Sequence, residues 1–141
     1  EKLLADGGAR LLTTDYAQFG SYGYASYLFT DRFIAQNPNT VRKFVDGTAR
    51  AIEWTRTTPR DEVVARLKKI VEARHRNEDT TIVNYWKSPG VGGKGGVIAA
   101  EDFTTYIDWY VKNGVLKLGQ VKPEAVYSNR FNPFDQTVAS H

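Results

Sequence analysis

Two prolines enclose the segment that most restricts how this chain can fold, Pro38 and Pro59. Asn37 is a favourable N-cap, and Pro38 occupies the first helical position, where a missing N–H costs nothing. Between the prolines, apolar or β-branched residues recur at helical spacing, at Val41, Phe44, Val45, Thr48 and Ile52. Charged residues fall on the other faces, so the pattern predicts one long amphipathic helix that Pro59 stops.

Further helices are predicted on both sides of this one. Residues 1–6 resemble a helix end that Gly7 terminates. A second helix is predicted over residues 61–75, with a buried stripe at Val63, Val64, Leu67, Ile70 and Val71. A helix from near Ala100 to Gly114 begins with two acidic residues, which the helix dipole favours. Pro123 is expected to open a short last helix.

Two segments before Pro38 have the composition of β-strands. Residues 9–16, ARLLTTDY, combine two leucines with two threonines, and residues 19–33 are rich in aromatic side chains. In the second strand Tyr22 and Tyr24 are two residues apart, which puts both side chains on one strand face. Beside Gly20 and Gly23 they could line a cleft for a flat or anionic ligand. The chain is therefore expected to belong to the α/β class, with more helix than strand.

Composition restricts the classes of function. The chain has 141 residues, so it has room for one domain or part of one. Its net charge of +3 comes from basic residues interspersed with acidic ones, and no nucleic-acid partner is expected. There is no cysteine, and the two histidines, His75 and His141, have no partner at metal-ligand spacing. No acid–base pair is indicated. We therefore expect no metal, no cofactor and no catalytic residue.

The glycine-rich stretch SPGVGGKGGVIAAEDF, residues 88–103, lacks the requirements of a phosphate loop. Ser88 stands where a Walker-type loop has its first glycine, and Gly95 follows Lys94 where a Ser or Thr is needed. A dinucleotide fingerprint fails because residues 97–100 separate the last glycine from the helix. The stretch is expected to be a surface connector.

The order of these features resembles one protein family. In YLFTDRFIAQNPNTVRKFVDGTARAIEW, the positions Phe33, Asn37, Pro38, Val41, Phe44, Ala51 and Trp54 fit the pattern of substrate-binding proteins of ABC importers for nitrate, sulfonates, taurine and thiamine-pyrimidine precursors. Gly47 is a minor departure, because it lies near a position at which the family pattern has alanine. The C-terminal part is similar as well, at Asp102, Gly114, Leu116, Tyr127, Asn129 and Phe131. The resemblance spans residues 1–134.

This resemblance implies a fold larger than the chain. Such proteins are two-lobe, periplasmic-binding-protein-like α/β folds of about twice this length, so the chain, which begins without Met, would be a single partial domain over residues 1–141. Residues 1–30 would supply a second-lobe strand and the hinge strand, Tyr24 to Phe29. Residues 31–141 would form the helical C-terminal region.

The resemblance also implies a function without catalysis. The parent protein would bind a small polar or anionic organic solute, periplasmic or lipid-anchored outside the bacterial membrane, as a monomer that delivers its ligand to ABC permease subunits. Tyr22, Tyr24 and Ser26 are the expected ligand-binding residues. Two alternatives stay open at this point. They are a pyrimidine-precursor synthase-like enzyme on the same scaffold and a stand-alone interaction domain.

Overall fold

A computed structural model describes residues 1–20, 26–90 and 93–135. The α-helices in these ranges are α1 Lys2–Ala5, α2 Asp15–Phe19, α3 Asp31–Gln36, α4 Pro38–Thr57, α5 Arg60–Glu72 and α6 Glu101–Lys112. Short 3₁₀ helices cover Thr81–Tyr85, Lys94–Gly96 and Pro123–Ala125. Of the described residues, 55% are helical and none lies in a β-strand. The helix-rich character of the predicted fold class is thereby confirmed, and the α/β two-lobe architecture stays a prediction.

The predicted long helix is confirmed as α4, which ends at Thr57, before Pro59. The carbonyl of Asn37 accepts the N–H of Val41 at 3.1 Å, which is the first hydrogen bond of the helix. The side-chain amide of Asn37 donates to the carbonyl of Phe33 at 3.3 Å, which gives one of the last carbonyls of α3 a hydrogen-bond partner. The buried residues of α4 are Val41 and Ala49. Phe44, predicted to be buried, is 40% exposed.

Helix α5 has the predicted register but ends three residues early. Val63 and Val64 of the predicted stripe are buried, whereas Ile70 near the end of the helix is 43% exposed, contrary to the prediction. The helix packs against the 3₁₀ turn Thr81–Tyr85. Its last residue is Glu72. His75 lies beyond it with a φ of 52°, a left-handed conformation that cannot continue a right-handed helix.

Helix α6 begins and ends as its sequence predicts. The Asp102 carboxylate accepts the N–H of Ala99 at 2.9 Å and so occupies one of the donors left free at the helix start. At the other end, Gly114 has a φ of 72° and donates to the carbonyl of Val111, while Val115 donates to that of Tyr110. This pair of bonds is a Schellman motif, which glycine at this position favours.

The strand predicted for residues 9–16 is wrong. Residues 9–14 are irregular, and α2 begins at Asp15. The hydroxyl oxygen of Thr14 accepts the N–H of Ala17 at 3.0 Å, so this β-branched residue caps a helix. Leu11 and Leu12 are 62% and 79% exposed, so no buried face orders the segment as a strand.

The aromatic strand predicted over residues 19–33 is also wrong in the part that the structure describes. Residues 26–30 are irregular, and α3 follows them. Thr30 caps α3 by accepting the N–H of Phe33 at 3.2 Å. Tyr22 of this predicted strand, and Tyr24 at the start of the predicted hinge strand, lie outside the described residues.

The chain divides into two compact units. Unit 1 comprises residues 1–20 and 54–90, and unit 2 comprises residues 21–53 and 91–141, so that one of the three boundaries along the chain lies inside α4. Among the described side chains of unit 1, the buried apolar ones are Val63 and Val64 of α5. On the same helix, the guanidinium carbon of Arg66 lies 5.5 Å from the ring centroid of Trp54. In unit 2 α6 packs against Pro123–Ala125. The predicted single partial domain and its inner boundary after residue 30 stay predictions.

Candidate functional site

The predicted ligand-binding residues are not brought together within the described residues. Tyr22 and Tyr24 lie outside them, and Ser26 is exposed in the irregular segment before α3. The role of all three residues therefore stays a prediction.

An aromatic cluster directly follows these residues in unit 2. The ring of Phe44 on α4 meets Tyr27 edge-on at a centroid distance of 4.9 Å and Phe29 at 5.3 Å. Phe29 also stacks on Phe33 at 5.8 Å. Edge-to-face pairs of this kind add stabilisation beyond the area they bury. The cluster attaches residues 27–29 to α4, while Tyr27 itself is 72% exposed.

A set of hydrogen bonds in unit 2 joins segment 127–134 to the loop that precedes α6. The side chain of Asn129 makes two hydrogen bonds to the backbone of Ile98: its oxygen accepts the N–H at 3.0 Å, and its amide donates to the carbonyl at 2.7 Å. Two residues earlier, Tyr127 stacks on Phe103 of α6 at 5.8 Å. Asn129 and Tyr127, two positions on which the predicted resemblance depends, thus make hydrogen-bonding and packing contacts respectively.

Asn132 extends this arrangement into the glycine-rich loop. Its side chain is buried, and its amide donates to the carbonyl of Gly95 at 3.0 Å while its oxygen accepts the N–H of Phe134. The N–H of Gly95 donates to the carboxylate of Glu53 at 3.0 Å. We call the contacts of Asn129 and Asn132 with Ile98 and Gly95 the asparagine clamp.

The clamp corrects the expected role of the glycine-rich stretch as a surface connector. Gly95 is buried, has a φ of 57°, and lies so close to the ring of Phe134 that an added Cβ would overlap ring carbons. Lys94 places its ammonium 5.7 Å from the centroid of the same ring. Glycine is therefore needed here for packing, a role that its spacing in the sequence did not indicate.

An open cleft of about 550 Å³ lies in unit 1, lined by Glu1, Leu4, Ala5, Arg60, Asn84, Tyr85 and Lys87. Its charged groups already have partners. Lys87 pairs with the Glu1 carboxylate at 2.7 Å, and this hydrogen bond lowers the pKa of Glu1. Arg60 donates to the carbonyls of Asn84 and Trp86. Arg60 thus attaches residues 84–86 to the start of α5, and both cations of the cleft already have partners within the protein.

A perturbed carboxyl outside the cleft gives a test of local geometry. The Asp79 carboxylate accepts the hydroxyl of Thr81 at 2.7 Å and the Thr81 backbone N–H at 2.8 Å, and these two bonds lower the pKa of Asp79. Because the pKa is lowered, the interaction stabilises the fold fully at pH values above the ordinary pKa of 3.8. The stabilisation is lost as the pH falls through the lowered pKa.

We expect Thr81→Val to raise the pKa of Asp79 towards 3.8, because the stronger of its two bonds is removed. A carboxyl-detected NMR titration measures this value. Thr80→Val is the matched control, because the Thr80 side chain makes no capping hydrogen bond. An unchanged Asp79 titration in Thr81→Val would contradict the described geometry.

Several classes of site find no support in the described ranges. The described residues contain no group of three His, Asp or Glu side chains placed to hold a metal ion. Across the same residues, no helix is both long enough and apolar enough to cross a membrane. Comparison with protein-family models gives no match, and neither characterised proteins nor solved structures show significant similarity.

Proposed function

We propose that this chain is part of a substrate-binding protein of an ABC importer, of the type that binds nitrate, sulfonates, taurine or pyrimidine precursors. The proposal rests on the sequence resemblance over residues 1–134. The observation that supports it best concerns three residues of the resemblance. Asp102 caps the start of α6 and Gly114 ends that helix. Asn129 holds the segment that follows by a hydrogen bond to Ile98. Residues with such roles are what a shared architecture would retain.

The proposed fold is the two-lobe α/β architecture, of which this chain would supply part of the second lobe. In that architecture a solute binds between the lobes, and closure is favoured because the closed state has the higher affinity. A permease then recognises the closed form. The proposed protein is a monomer outside the cytoplasmic membrane, and it has no catalytic role.

Exposed apolar side chains support the idea that further protein covers this one. On α6, Tyr106, Trp109 and Tyr110 are spaced as one helix face and are 38%, 58% and 43% exposed. Contiguous exposed aromatic surface of this kind usually marks a contact with another protein surface. In the proposal, the remainder of the parent protein covers this face.

The test is calorimetric titration of the full-length parent with taurine, methanesulfonate, nitrate and an aminopyrimidine. Saturable binding of one of these solutes without turnover is the expected result. Conversion of the aminopyrimidine would instead support the synthase-like enzyme. Absence of binding to all of the solutes would contradict the importer and favour the interaction domain.

In the same full-length parent, we expect Tyr22→Ala and Tyr24→Ala each to weaken solute binding by about 1 to 3 kcal/mol, the scale of losing an aromatic wall or a hydrogen bond. Titration of each variant with the solute that binds measures the change. Tyr16→Ala is a matched control, because Tyr16 is 70% exposed on α2 and is not one of the expected ligand residues. Wild-type affinity in both site variants would remove these tyrosines from the binding site.

A further inference from the structure

Two guanidinium groups contact one aromatic ring in unit 2. The guanidinium carbon of Arg130 lies 4.3 Å from the centroid of Phe131, and that of Arg42 lies 5.6 Å from the same centroid. Arg130 is the neighbour of Phe131 in the chain, whereas Arg42 comes from the first turns of α4. Because both distances share one endpoint, the two guanidinium carbons are within about 10 Å of each other.

The asparagine clamp fixes the position of this ring. Asn129 is bonded to Ile98 on one side of Arg130 and Phe131, and Asn132 is bonded to Gly95 on the other. The ring is half-buried between these anchors. Arg130 and the ring that both guanidinium groups contact therefore lie on a segment anchored at both ends, while Arg42 is carried by α4. Such anchoring lowers the entropic cost of binding a ligand there.

Both arginines keep their hydrogen-bonding capacity. Contact with a ring uses the flat face of a guanidinium and leaves N–H donors at its edge. Among the described residues, neither Arg42 nor Arg130 forms a salt bridge. The carboxylate one turn along α4, Asp46, accepts two hydrogen bonds from Arg50, at 2.9 and 3.0 Å. Two exposed cations thus contact one ring, and no carboxylate of the described residues forms a salt bridge with either of them.

We propose that Arg42 and Arg130, positioned by Phe131, form a binding site for a small tetrahedral oxyanion, the sulfate, sulfonate or phosphate group of a free solute. Such an anion relieves the repulsion between the two cations and accepts hydrogen bonds from two guanidinium edges, an arrangement that suits its several oxygens. The inference rests on the geometry of unit 2 alone. It is independent of Tyr22, Tyr24 and the importer proposal.

The experiment follows the Nε–H resonances of the arginines by NMR while sodium sulfate is added to this chain, with sodium chloride adjusted to hold the ionic strength constant. We expect saturable shifts at Arg42 and Arg130. Arg42→Gln and Arg130→Gln should each raise the sulfate dissociation constant at least about five-fold, since a charge-assisted hydrogen-bond pair is lost. Arg42→Lys should recover only part of the affinity, because lysine retains the charge but lacks the planar fork.

Arg32→Gln is the matched control, an exposed arginine of the same unit on α3, and it should leave sulfate binding unchanged. Circular dichroism of each variant verifies that it is folded. Shifts of equal size at all arginines, or wild-type affinity in both glutamine variants, would overturn the site. A second arm mixes the chain with phosphatidylglycerol vesicles. Arg42-dependent co-sedimentation without any response to free sulfate would overturn the assignment to a free solute.

Discussion

Replacing Gly95 with alanine is expected to lower the free energy of unfolding by about 3 kcal/mol. About 1 kcal/mol of this loss comes from the left-handed conformation at a φ of 57°, which alanine tolerates poorly. The remainder, about 2 kcal/mol, comes from the overlap of the new Cβ with the ring of Phe134, because overpacking a filled site displaces its neighbours. Urea denaturation followed by circular dichroism measures the loss.

Gly114→Ala separates the two contributions. Gly114 also has a positive φ, of 72°, but apart from its chain neighbours no atom of the described residues lies within 4 Å of the position its Cβ would take. Its replacement should therefore cost about 1 kcal/mol, from backbone strain alone. Removing the ring by Phe134→Ala should likewise reduce the cost of Gly95→Ala to about this value. If Gly95→Ala cost no more than Gly114→Ala, the ring contact would be wrong.

The parts of the fold that the sequence predicted well are those in which several local signals agree. For α4, a proline at the first position, a periodic apolar stripe and a proline beyond the last turn all point to one helix. For α6, acidic residues at the start and Gly114 at the end agree in the same way. Such signals act within a few residues of one another, so a single sequence contains them all.

The short helices α2 and α3 were missed because their caps resemble strand residues. Thr14 and Thr30 are β-branched and lie next to apolar or aromatic residues, which favours a strand when composition is considered alone. In the structure both hydroxyl groups accept a backbone N–H three residues later. A threonine followed directly by aspartate, as in Thr14-Asp15 and Thr30-Asp31, was the signal of a helix start that could have corrected the prediction.

The reason why the asparagine clamp was not predicted is different. Asn132 and Gly95 are 37 positions apart, and no periodic pattern links them. The sequence around Asn132, NRFNPF, does carry one usable local signal. An asparagine before proline favours a turn in which its side chain binds the backbone two residues on, which is the bond that Phe134 makes. The partner of its amide group depends on tertiary packing alone.

We expect Asn132→Ala to cost about 2 to 3 kcal/mol of unfolding free energy. The substitution removes the partners of two backbone groups at once, the carbonyl of Gly95 and the N–H of Phe134, in a place where Asn132 is only 6% exposed. Asn113→Ala is the matched control, because Asn113 makes one exposed side-chain bond, to the carbonyl of Trp109 at 2.7 Å. Its replacement should cost less than about 1 kcal/mol, measured by the same urea denaturation.

Asn132→Asp distinguishes the lost donor from a general loss of packing, because the two side chains have nearly the same shape. The introduced carboxylate still accepts the N–H of Phe134, but its second oxygen faces the carbonyl of Gly95 and repels it. Burial and this repulsion raise the pKa of the introduced carboxyl in the folded state above its unfolded value. A raised pKa means that the destabilisation is largest near neutral pH and diminishes as pH falls towards about 4, where a protonated carboxyl donates to the carbonyl as the amide did. A loss of stability that does not change between pH 7 and pH 4 would show that the Asn132 amide does not bind Gly95.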